Sequence, residues 1–143
     1  MSSNPIGIFD SGIGGLTIAN AIKEKLPNES IIYFGDTKHL PYGEKSEKAI
    51  KDYSLQIAKF LKNKNCKTII IACNSASSVA FNYIQNNITS IPIFNVIDPI
   101  INDLSAKNEN KKIGVIGTKA TINSNIYQKK INQKINSKVI SLE

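Results

Sequence analysis

The fold of this chain is decided by the stretch Thr68-Ile-Ile-Ile-Ala-Cys-Asn-Ser-Ala-Ser-Ser78. Its first five residues are apolar or β-branched and do not alternate with polar ones, which predicts a strand buried on both faces of a parallel sheet. Small polar residues follow at positions 73–75, and a helical pattern continues from them. Cys73 is therefore expected where a buried strand ends and a helix begins, which is the edge at which open α/β sheets bind ligands.

Two interpretations of Cys73 follow from this placement. The free N–H groups of a helix N-terminus attract an anion and favour the thiolate over the thiol, which would make Cys73 a reactive group. Alternatively, Cys73 is one more small buried residue, because free cysteines are often buried. This stretch alone leaves both interpretations open.

Strand and helix patterns alternate on either side of this stretch. The predicted strands are residues 6–9, 30–34, 68–72, 91–96, 113–116 and 138–142. The predicted helices are residues 16–26, 44–63, 75–85, 100–104 and 122–135. This alternation implies right-handed crossovers, so the predicted fold class is α/β, with a parallel sheet and helices on both of its faces.

The chain is predicted to contain one α/β domain and the beginning of a second similar one. The run Ile6-Gly-Ile-Phe9 is similar to Ile113-Gly-Val-Ile116, and each is followed by a loop rich in Gly or Thr and then by a helix. We assign residues 1–97 to the first domain and residues 98–143 to an incomplete second domain. A polar connector is predicted at residues 107–112.

Composition and charge restrict the classes of function. The 143 residues carry a net charge of +7, but all 18 basic residues are Lys, spread over predicted helix faces, which favours a solvated surface over nucleic-acid binding. No apolar run is long enough to cross a membrane, and the first residues lack the pattern of a secretory signal. The two cysteines make neither a disulfide framework nor a metal-binding pattern, so we expect a cytoplasmic protein without a metal site.

Polar residues follow most of the predicted strands. Because parallel strands end at the same edge of a sheet, these residues are expected to line one cleft. They are Asp10, Ser11, Asp36, Tyr42, Gly43, Cys73, Asn74, Ser75 and Thr118. The loop Gly12-Ile-Gly-Gly15 either cradles an anion or forms a tight turn that lets a helix pack closely. Its spacing is not that of a nucleotide-binding loop.

Asp10 is expected directly after a buried strand, and a carboxylate in that position must have a structural or a catalytic role. A carboxylate after a buried strand requires a hydrogen-bond or charge partner. It can cap the following helix, orient Cys73 or take part in proton transfer. His39 lies in a loop and is not expected to pair with Cys73, and Cys66 precedes the central strand at its other end and is interpreted as structural.

Five motifs occur in order along the chain. They are Gly7-Ile-Phe-Asp-Ser-Gly-Ile-Gly-Gly-Leu-Thr17, Tyr33-Phe-Gly-Asp-Thr37, Pro41-Tyr-Gly43, Ala72-Cys-Asn-Ser-Ala-Ser77 and Gly114-Val-Ile-Gly-Thr118 with Ala120-Thr-Ile122. Together they resemble the glutamate racemases of the aspartate/glutamate racemase superfamily, over essentially the whole chain. The resemblance implies an isomerase that needs no cofactor, interconverts L- and D-glutamate, and supplies D-glutamate for peptidoglycan synthesis and thus for the cell wall and cell shape.

The resemblance also implies roles for individual residues. In the family, two cysteines flank the substrate α-carbon, and one removes its proton while the other returns a proton on the opposite face. Cys73 matches the first of these, with Asp10 as the second catalytic residue of this chain. The implied substrate-binding residues are Asp10, Ser11, Tyr42, Gly43, Asn74 and Ser75, with Thr118 and Thr121 as further contacts. Position 75 is more often Thr in the family, and Ser75 keeps the hydroxyl.

One feature departs from the family pattern. The family's second cysteine lies in a Cys-Thr-His segment beyond position 143, and family members are nearly twice as long. We therefore expect a fragment or truncated product that does not racemise glutamate at a family-like rate. An inactive remnant, a glutamate-binding module and an aspartate racemase are the alternatives, and a homodimer is left open.

Overall fold

The computed structural model describes residues 3–107, 112–135 and 137–143. The strands are β1 Ile6–Asp10, β2 Ile31–Gly35, β3 Thr68–Ile71, β4 Ile93–Asn95, β5 Lys112–Ile116 and β6 Lys138–Leu142. The helices are α1 Leu16–Lys25, α2 Glu47–Asn63, α3 Asn74–Asn87, α4 Ile97–Lys107, α5 Lys119–Asn123 and α6 Ile126–Lys134, with a 3₁₀ turn at Tyr42–Glu44. None of the helices in these ranges combines the length and the apolar character needed to cross a membrane.

The larger sheet has the strand order β2-β1-β3-β4, and all of its strand pairs are parallel. β1 is buried along its whole length, as expected of a central strand that is covered on both faces. On one face, Ile18 and Ile22 of α1 pack against Ile8. On the other face, the apolar sides of α2 and α3 form a core with Phe9 and Ile71. The predicted α/β fold, with a parallel sheet and helices on both faces, is therefore confirmed.

The smaller sheet pairs β5 with β6, also in parallel. One of its faces packs against a core centred on Ile97, Ile101 and Ile131 from α4 and α6. The two sheets share no strand pairing among the described residues. This arrangement is compatible with a second α/β unit, and the boundary between residues 97 and 98 stays a prediction.

Helix α2 and the last predicted helix differ from their predicted bounds for local reasons. α2 begins at Glu47 rather than at residue 44, because the Ser46 hydroxyl caps it by accepting a hydrogen bond from the Ala49 N–H at 3.2 Å. The predicted helix over residues 122–135 is divided into α5 and α6. Asn125 lies between them with a φ of 54°, in the left-handed region, and this backbone conformation interrupts the helix.

The fourth strand is shorter than predicted and the helix after it is longer. Only Ile93–Asn95 of the predicted strand at residues 91–96 forms a strand. The Asn95 side-chain oxygen then accepts hydrogen bonds from the N–H groups of Ile97 and Asp98, both at 2.9 Å, and so starts α4 directly. Residues 108–111 of the predicted polar connector lie outside the described residues.

Candidate functional site

Cys73 lies directly between β3 and α3, at the carboxyl edge of the larger sheet. It is the N-cap residue of α3, and its Sγ accepts a hydrogen bond from the Ala76 N–H at 3.4 Å. The residue is only 6% exposed. A thiol thus stands at the position where Ser, Thr, Asp or Asn usually caps a helix.

Asp10 is the last residue of β1, the strand next to β3 in the sheet. Its Oδ2 accepts hydrogen bonds from the N–H groups of Gly12 at 3.2 Å and Gly15 at 3.0 Å. A Cβ on Gly15 would lie 2.7 Å from the Asp10 Cβ and 2.8 Å from the Ala72 Cβ, so only glycine allows this close approach. The loop is therefore both a tight turn and an anion cradle, and the anion that it holds is the Asp10 carboxylate.

Ser11 connects Asp10 with Cys73. The Cys73 thiol donates a hydrogen bond to the Ser11 Oγ, with a distance of 3.4 Å between the two atoms. The Asp10 charge is also close enough to act on the thiol. The structure therefore brings Asp10, Ser11 and Cys73 together at the shared strand edge.

The electrostatic environment of Cys73 favours the thiol. Burial raises the pKa of Cys73 above its ordinary value because a buried site disfavours the charged thiolate, and the negative charge of Asp10 raises the pKa further. Hydrogen bonds with Ser11 and from the Ala76 N–H lower this pKa, but by less than burial raises it. The predicted effect of the helix N-terminus is present but outweighed, so the resting side chain is neutral.

Tyr42 is buried, and its hydroxyl is already paired. The phenol O–H donates to the Asp36 Oδ2 at 2.6 Å, and Tyr42 is 1% exposed. Burial, followed by the hydrogen bond to Asp36, raises the pKa of Tyr42, so the phenol remains a neutral donor. Its hydroxyl is committed to Asp36, and the part of Tyr42 that remains for a ligand is its backbone.

His39 shares the same carboxylate. Its Nδ1 lies 2.9 Å from each oxygen of Asp36, and its ring stacks on Tyr53 with 4.1 Å between the ring centroids. The imidazole is thus engaged with Asp36, in agreement with the expectation that it does not pair with Cys73.

The residues after β5 reach the edge that carries Cys73. Thr118 Oγ1 lies 2.8 Å from the Ser75 Oγ and 3.1 Å from the Thr121 Oγ1. Gly43 is buried against Thr118, since a Cβ on this glycine would lie 2.6 Å from the Thr118 Cβ. Ser75, Gly43 and Thr118 therefore meet, as the sequence predicts.

Asn74 makes a second contact between the two units. It is the first residue of α3, and its side-chain Oδ1 accepts a hydrogen bond from the Tyr127 O–H of α6 at 2.7 Å. The residue is exposed, in contrast to its neighbours Cys73 and Ser75, which are buried.

Cys66 lies apart from this group. It precedes β3, is 3% exposed, and its Sγ would be 3.0 Å from a Cβ on Gly7, near the start of β1. Burial raises the pKa of this thiol as well. The length of β3, roughly 13 Å for four residues, separates it from Cys73, which agrees with the structural interpretation.

Sequence reasoning missed the contacts of two tyrosines at this edge. Tyr33 donates its O–H to the Gly12 carbonyl at 3.1 Å, and burial, with smaller contributions from Asp10 and Cys73, raises its pKa to about 12. Tyr33 is the first residue of the second of the five motifs, but its place in a predicted strand did not indicate a contact with the loop at Gly12. Tyr127 is 53 residues from Asn74, a separation at which no local pattern signals a contact.

Two surface depressions border the site residues. One, of about 820 Å³, is lined by Gly43 and by residues of α5 that include Lys119. The other, of about 400 Å³, is lined by Asn74, Thr118 and Tyr127. Across the described ranges, no three His, Cys, Asp or Glu side chains cluster as a metal site would require.

Glutamate racemases are among the known proteins to which this chain is similar. Residues 16–143 match the model of the Asp/Glu/Hydantoin racemase family. Glutamate racemase of Aquifex pyrophilus is 47% identical over 128 residues, which are 90% of this chain and 50% of the relative. Glutamate racemase of Corynebacterium diphtheriae is 48% identical over 128 residues, again 90% of this chain and 48% of the relative. The chain thus spans about half the length of these curated relatives.

Solved structures of glutamate racemases are also similar to this chain. The crystal structure of glutamate racemase from Francisella tularensis in complex with D-glutamate matches 99% of this chain and 53% of its own, with a TM-score of 0.89 at 44% identity. The glutamate racemase structure from Aquifex pyrophilus matches with a TM-score of 0.91 at 44% identity, covering 96% of this chain and 54% of its own.

Proposed function

The chain belongs to the Asp/Glu/Hydantoin racemase family, and from that membership we propose that it carries one half of the active site of a glutamate racemase. The proposed reaction interconverts L- and D-glutamate without a cofactor and supplies D-glutamate for peptidoglycan synthesis. Cys73 and Asp10 are the proposed catalytic residues. The proposed substrate-binding residues are Asp10, Ser11, Tyr42, Gly43, Asn74 and Ser75.

One observation carries this proposal. A buried thiol caps the N-terminus of a 14-residue helix and lies 3.4 Å from the hydroxyl of Ser11, next to a carboxylate on the adjacent strand. A base that removes a proton from the α-carbon of an amino acid must be strong and must be shielded from water. The raised pKa of Cys73 serves this purpose, because the thiolate of a weakly acidic thiol is a stronger base toward carbon.

The proposed inversion uses the residues of this site to remove the α-proton and needs one further proton donor to complete it. In the proposed first step the Cys73 thiol gives its proton to the Ser11 hydroxyl oxygen, to which it already donates, and Ser11 passes its own hydroxyl proton on to the Asp10 carboxylate. The Ser11 hydroxyl then carries the former thiol proton and donates it in a hydrogen bond to the thiolate. The thiolate then takes the α-proton, and the electron pair of the broken C–H bond stays on the substrate as a carbanion. Protonation of that carbanion on its opposite face completes the inversion.

The backbone around Cys73 offers donors for the substrate carboxylates. The N-terminus of α3 presents free N–H groups, and negative charge is favoured there. We assign Asn74, Ser75 and Gly43 to the binding of the carboxylates. Tyr42 contributes through its backbone, while its side chain braces the loop through Asp36.

The opposite face of the substrate requires a second proton donor. Cys66 does not fill this role, because it lies at the other end of β3. We propose that residues 1–97 form the first domain and residues 98–143 the beginning of a second. The second donor then belongs to the half of the relatives that this chain does not span. A glutamate-binding module without turnover is the alternative, because Cys73 is the one cysteine that the described residues place at the site.

Isotope exchange tests the proposal. The purified chain is incubated in D2O with L-glutamate and D-glutamate separately, and loss of the α-proton signal is followed by NMR while configuration is followed by chiral chromatography. We expect exchange of one enantiomer with retention of configuration. Exchange should be lost in Cys73→Ser and kept in the matched control Cys66→Ser. Exchange that persists in Cys73→Ser would overturn the assignment of the base.

Two further outcomes bear on the scope of the proposal. Rapid interconversion of the enantiomers by this chain alone would contradict the need for a second donor outside it. Binding of glutamate without exchange in the unmodified chain would favour the binding module over the racemase half.

The proposed setting is the cytoplasm, with a small dicarboxylic amino acid as the partner. Both cysteines are free thiols, and the proposed base acts only in its reduced form. A homodimer is one assembly that this proposal allows, and sedimentation analysis measures it directly.

A further inference from the structure

We propose that Tyr127 is a positioning residue, which fixes the Asn74 side-chain amide so that its two N–H donors face an anion bound beside Cys73. The inference rests on the proposed function for the identity of that anion, a substrate carboxylate. It assigns a role to a hydroxyl of the second unit that touches neither the thiol nor the residues around Asp10. The proposal is based on the hydrogen bond that the Tyr127 O–H donates to the Asn74 Oδ1, at 2.7 Å.

The position of Asn74 makes its orientation matter. It is the residue after Cys73 and the first residue of α3, so its side chain stands at the same helix N-terminus as the thiol. An amide has one end that accepts hydrogen bonds and one end that donates them. Only the donor end attracts a carboxylate, and the side chain of an exposed Asn is otherwise free to turn.

Tyr127 selects the end that remains available. Burial raises the pKa of Tyr127, so its phenol keeps its proton at neutral pH. The structure uses that proton in the hydrogen bond to the Asn74 Oδ1 at 2.7 Å, which leaves the Nδ2 hydrogens for a ligand. Because Tyr127 lies on α6, the donor end becomes fixed only when the second unit is docked on α3.

The competing explanation is a purely structural tether. The pair of Ser75 and Thr118 also joins the two units, with 2.8 Å between their hydroxyl oxygens. If Tyr127 only held the units together, its removal would change access to Cys73 equally for charged and neutral molecules. A positioning role predicts that the change depends on the charge of the molecule that approaches.

Two alkylating reagents of similar size separate these explanations. Iodoacetate is an anion and iodoacetamide is neutral, and both react with the Cys73 thiolate. Peptide mass spectrometry measures alkylation at Cys73 alone, so Cys66 does not contribute. We expect Tyr127→Phe to lower the ratio of the iodoacetate rate to the iodoacetamide rate by about two- to fivefold, less than the loss of a whole hydrogen bond to a charged group, because the freed amide still donates part of the time. The matched control Tyr83→Phe removes a hydroxyl further along α3, where the Tyr83 ring lies 5.9 Å from the Lys51 ammonium, and should leave the ratio unchanged.

A double-mutant cycle closes the test. Asn74→Ala should lower the ratio at least as much as Tyr127→Phe does, because it removes the donor instead of freeing it to turn. The double variant should show no decrease beyond that of Asn74→Ala, because Tyr127 acts through Asn74. An unchanged ratio in Tyr127→Phe, or an equal decrease in the Asn74→Ala background, would overturn the proposal. The alkylation ratio does not depend on catalytic turnover, so it tests the role of Tyr127 even if the chain does not exchange the α-proton of glutamate.

A second measurement covers a Tyr127→Phe chain that does not fold. In the unmodified protein, the side-chain NH₂ signals of Asn74 are identified by their loss in Asn74→Ala. Titration with glutarate, a dicarboxylate without an amino group, should shift these signals by NMR. If glutarate binds and shifts other signals near Cys73 but leaves those of Asn74 in place, the amide does not face the anion and the proposal is wrong.

Discussion

Thr118 lies so close to Gly43 that a Cβ on the glycine would stand 2.6 Å from the threonine Cβ and 2.7 Å from its Cγ2. The same threonine places its Oγ1 2.8 Å from the Ser75 hydroxyl oxygen. The requirement for glycine here comes from the approach of a neighbour, since no described glycine has a positive φ. Gly43 is therefore the point at which the loop before α2, the start of α3 and the second unit come together.

Gly43→Ala should weaken this junction. The added methyl group must displace the Thr118 side chain, which also separates it from Ser75. We expect a loss of about 1–3 kcal/mol in the free energy of unfolding, the usual cost of overpacking, measured by urea denaturation. Gly114→Ala is the matched control, because nothing lies within 4 Å of a Cβ at that position. Equal losses in the two variants would show that the Thr118 contact does not constrain Gly43.

The ionisation of Cys73 should respond in opposite directions to its two neighbours. The hydrogen bond with Ser11 lowers the pKa of the thiol and the charge of Asp10 raises it. Ser11→Ala should therefore move the pH midpoint of iodoacetamide alkylation at Cys73 upward, and Asp10→Asn should move it downward. In the unmodified chain this midpoint should lie above the ordinary thiol value of 9.0, because burial dominates.

The control for this pH profile is Thr17→Ala, which alters a hydroxyl bonded to the Gly14 carbonyl and should leave the midpoint in place. Shifts of the same sign in Ser11→Ala and Asp10→Asn would contradict the geometry, since a general loosening of the site would move both variants alike.

The location of Asp10 and Cys73 at one edge of the sheet could be predicted, because the prediction needs few assumptions about the fold. It requires only that two strands be assigned and be parallel, and the apolar runs before Asp10 and Cys73 are sufficient for that. The sequence also predicts the direction of the helix effect on the Cys73 pKa. It does not predict the net sign, because the extent of burial depends on how the helices pack over the thiol.

The contact between Tyr127 and Asn74, unlike the meeting of Thr118 with Ser75, could not be predicted. The bond from Tyr127 to Asn74 depends on how α6 docks against α3, which no local pattern specifies. The interruption between α5 and α6 also could not be predicted from the sequence pattern. The apolar residues Ile122, Ile126 and Ile131 keep a helical spacing across it, while the left-handed backbone of Asn125 interrupts the helix.

Tyr42→Phe should destabilise the fold through Asp36. The variant keeps the buried ring but removes the donor that lies 2.6 Å from the carboxylate, so Asp36 stays 7% exposed with one partner fewer. Leaving a buried carboxylate short of a hydrogen bond costs about 1–3 kcal/mol, measurable as a decrease in the free energy of unfolding. Tyr53→Phe is the control, since its ring packs on His39 and the stacking survives loss of the hydroxyl. Equal stability of Tyr42→Phe and the unmodified chain would show that the hydrogen bond contributes nothing net.

Alkaline pH should destabilise the protein through its buried acids. Burial raises the pKa of Cys66 and Cys73 above the ordinary thiol value of 9.0 and that of Tyr33 from 10.0 to about 12. A group with a raised pKa holds its proton more tightly in the folded state, so its contribution is complete below the unfolded pKa and is lost as pH rises through the folded pKa. The free energy of unfolding should therefore begin to fall near pH 9, where unfolded thiols ionise, and should continue to fall toward pH 12 as Tyr33 ionises. Urea titrations across this pH range measure the free energy of unfolding.

The control is the double variant Cys66→Ser and Cys73→Ser. In it the decrease should begin about one pH unit higher, where unfolded tyrosines ionise. An unchanged onset would show that the two thiols do not determine where the decrease begins.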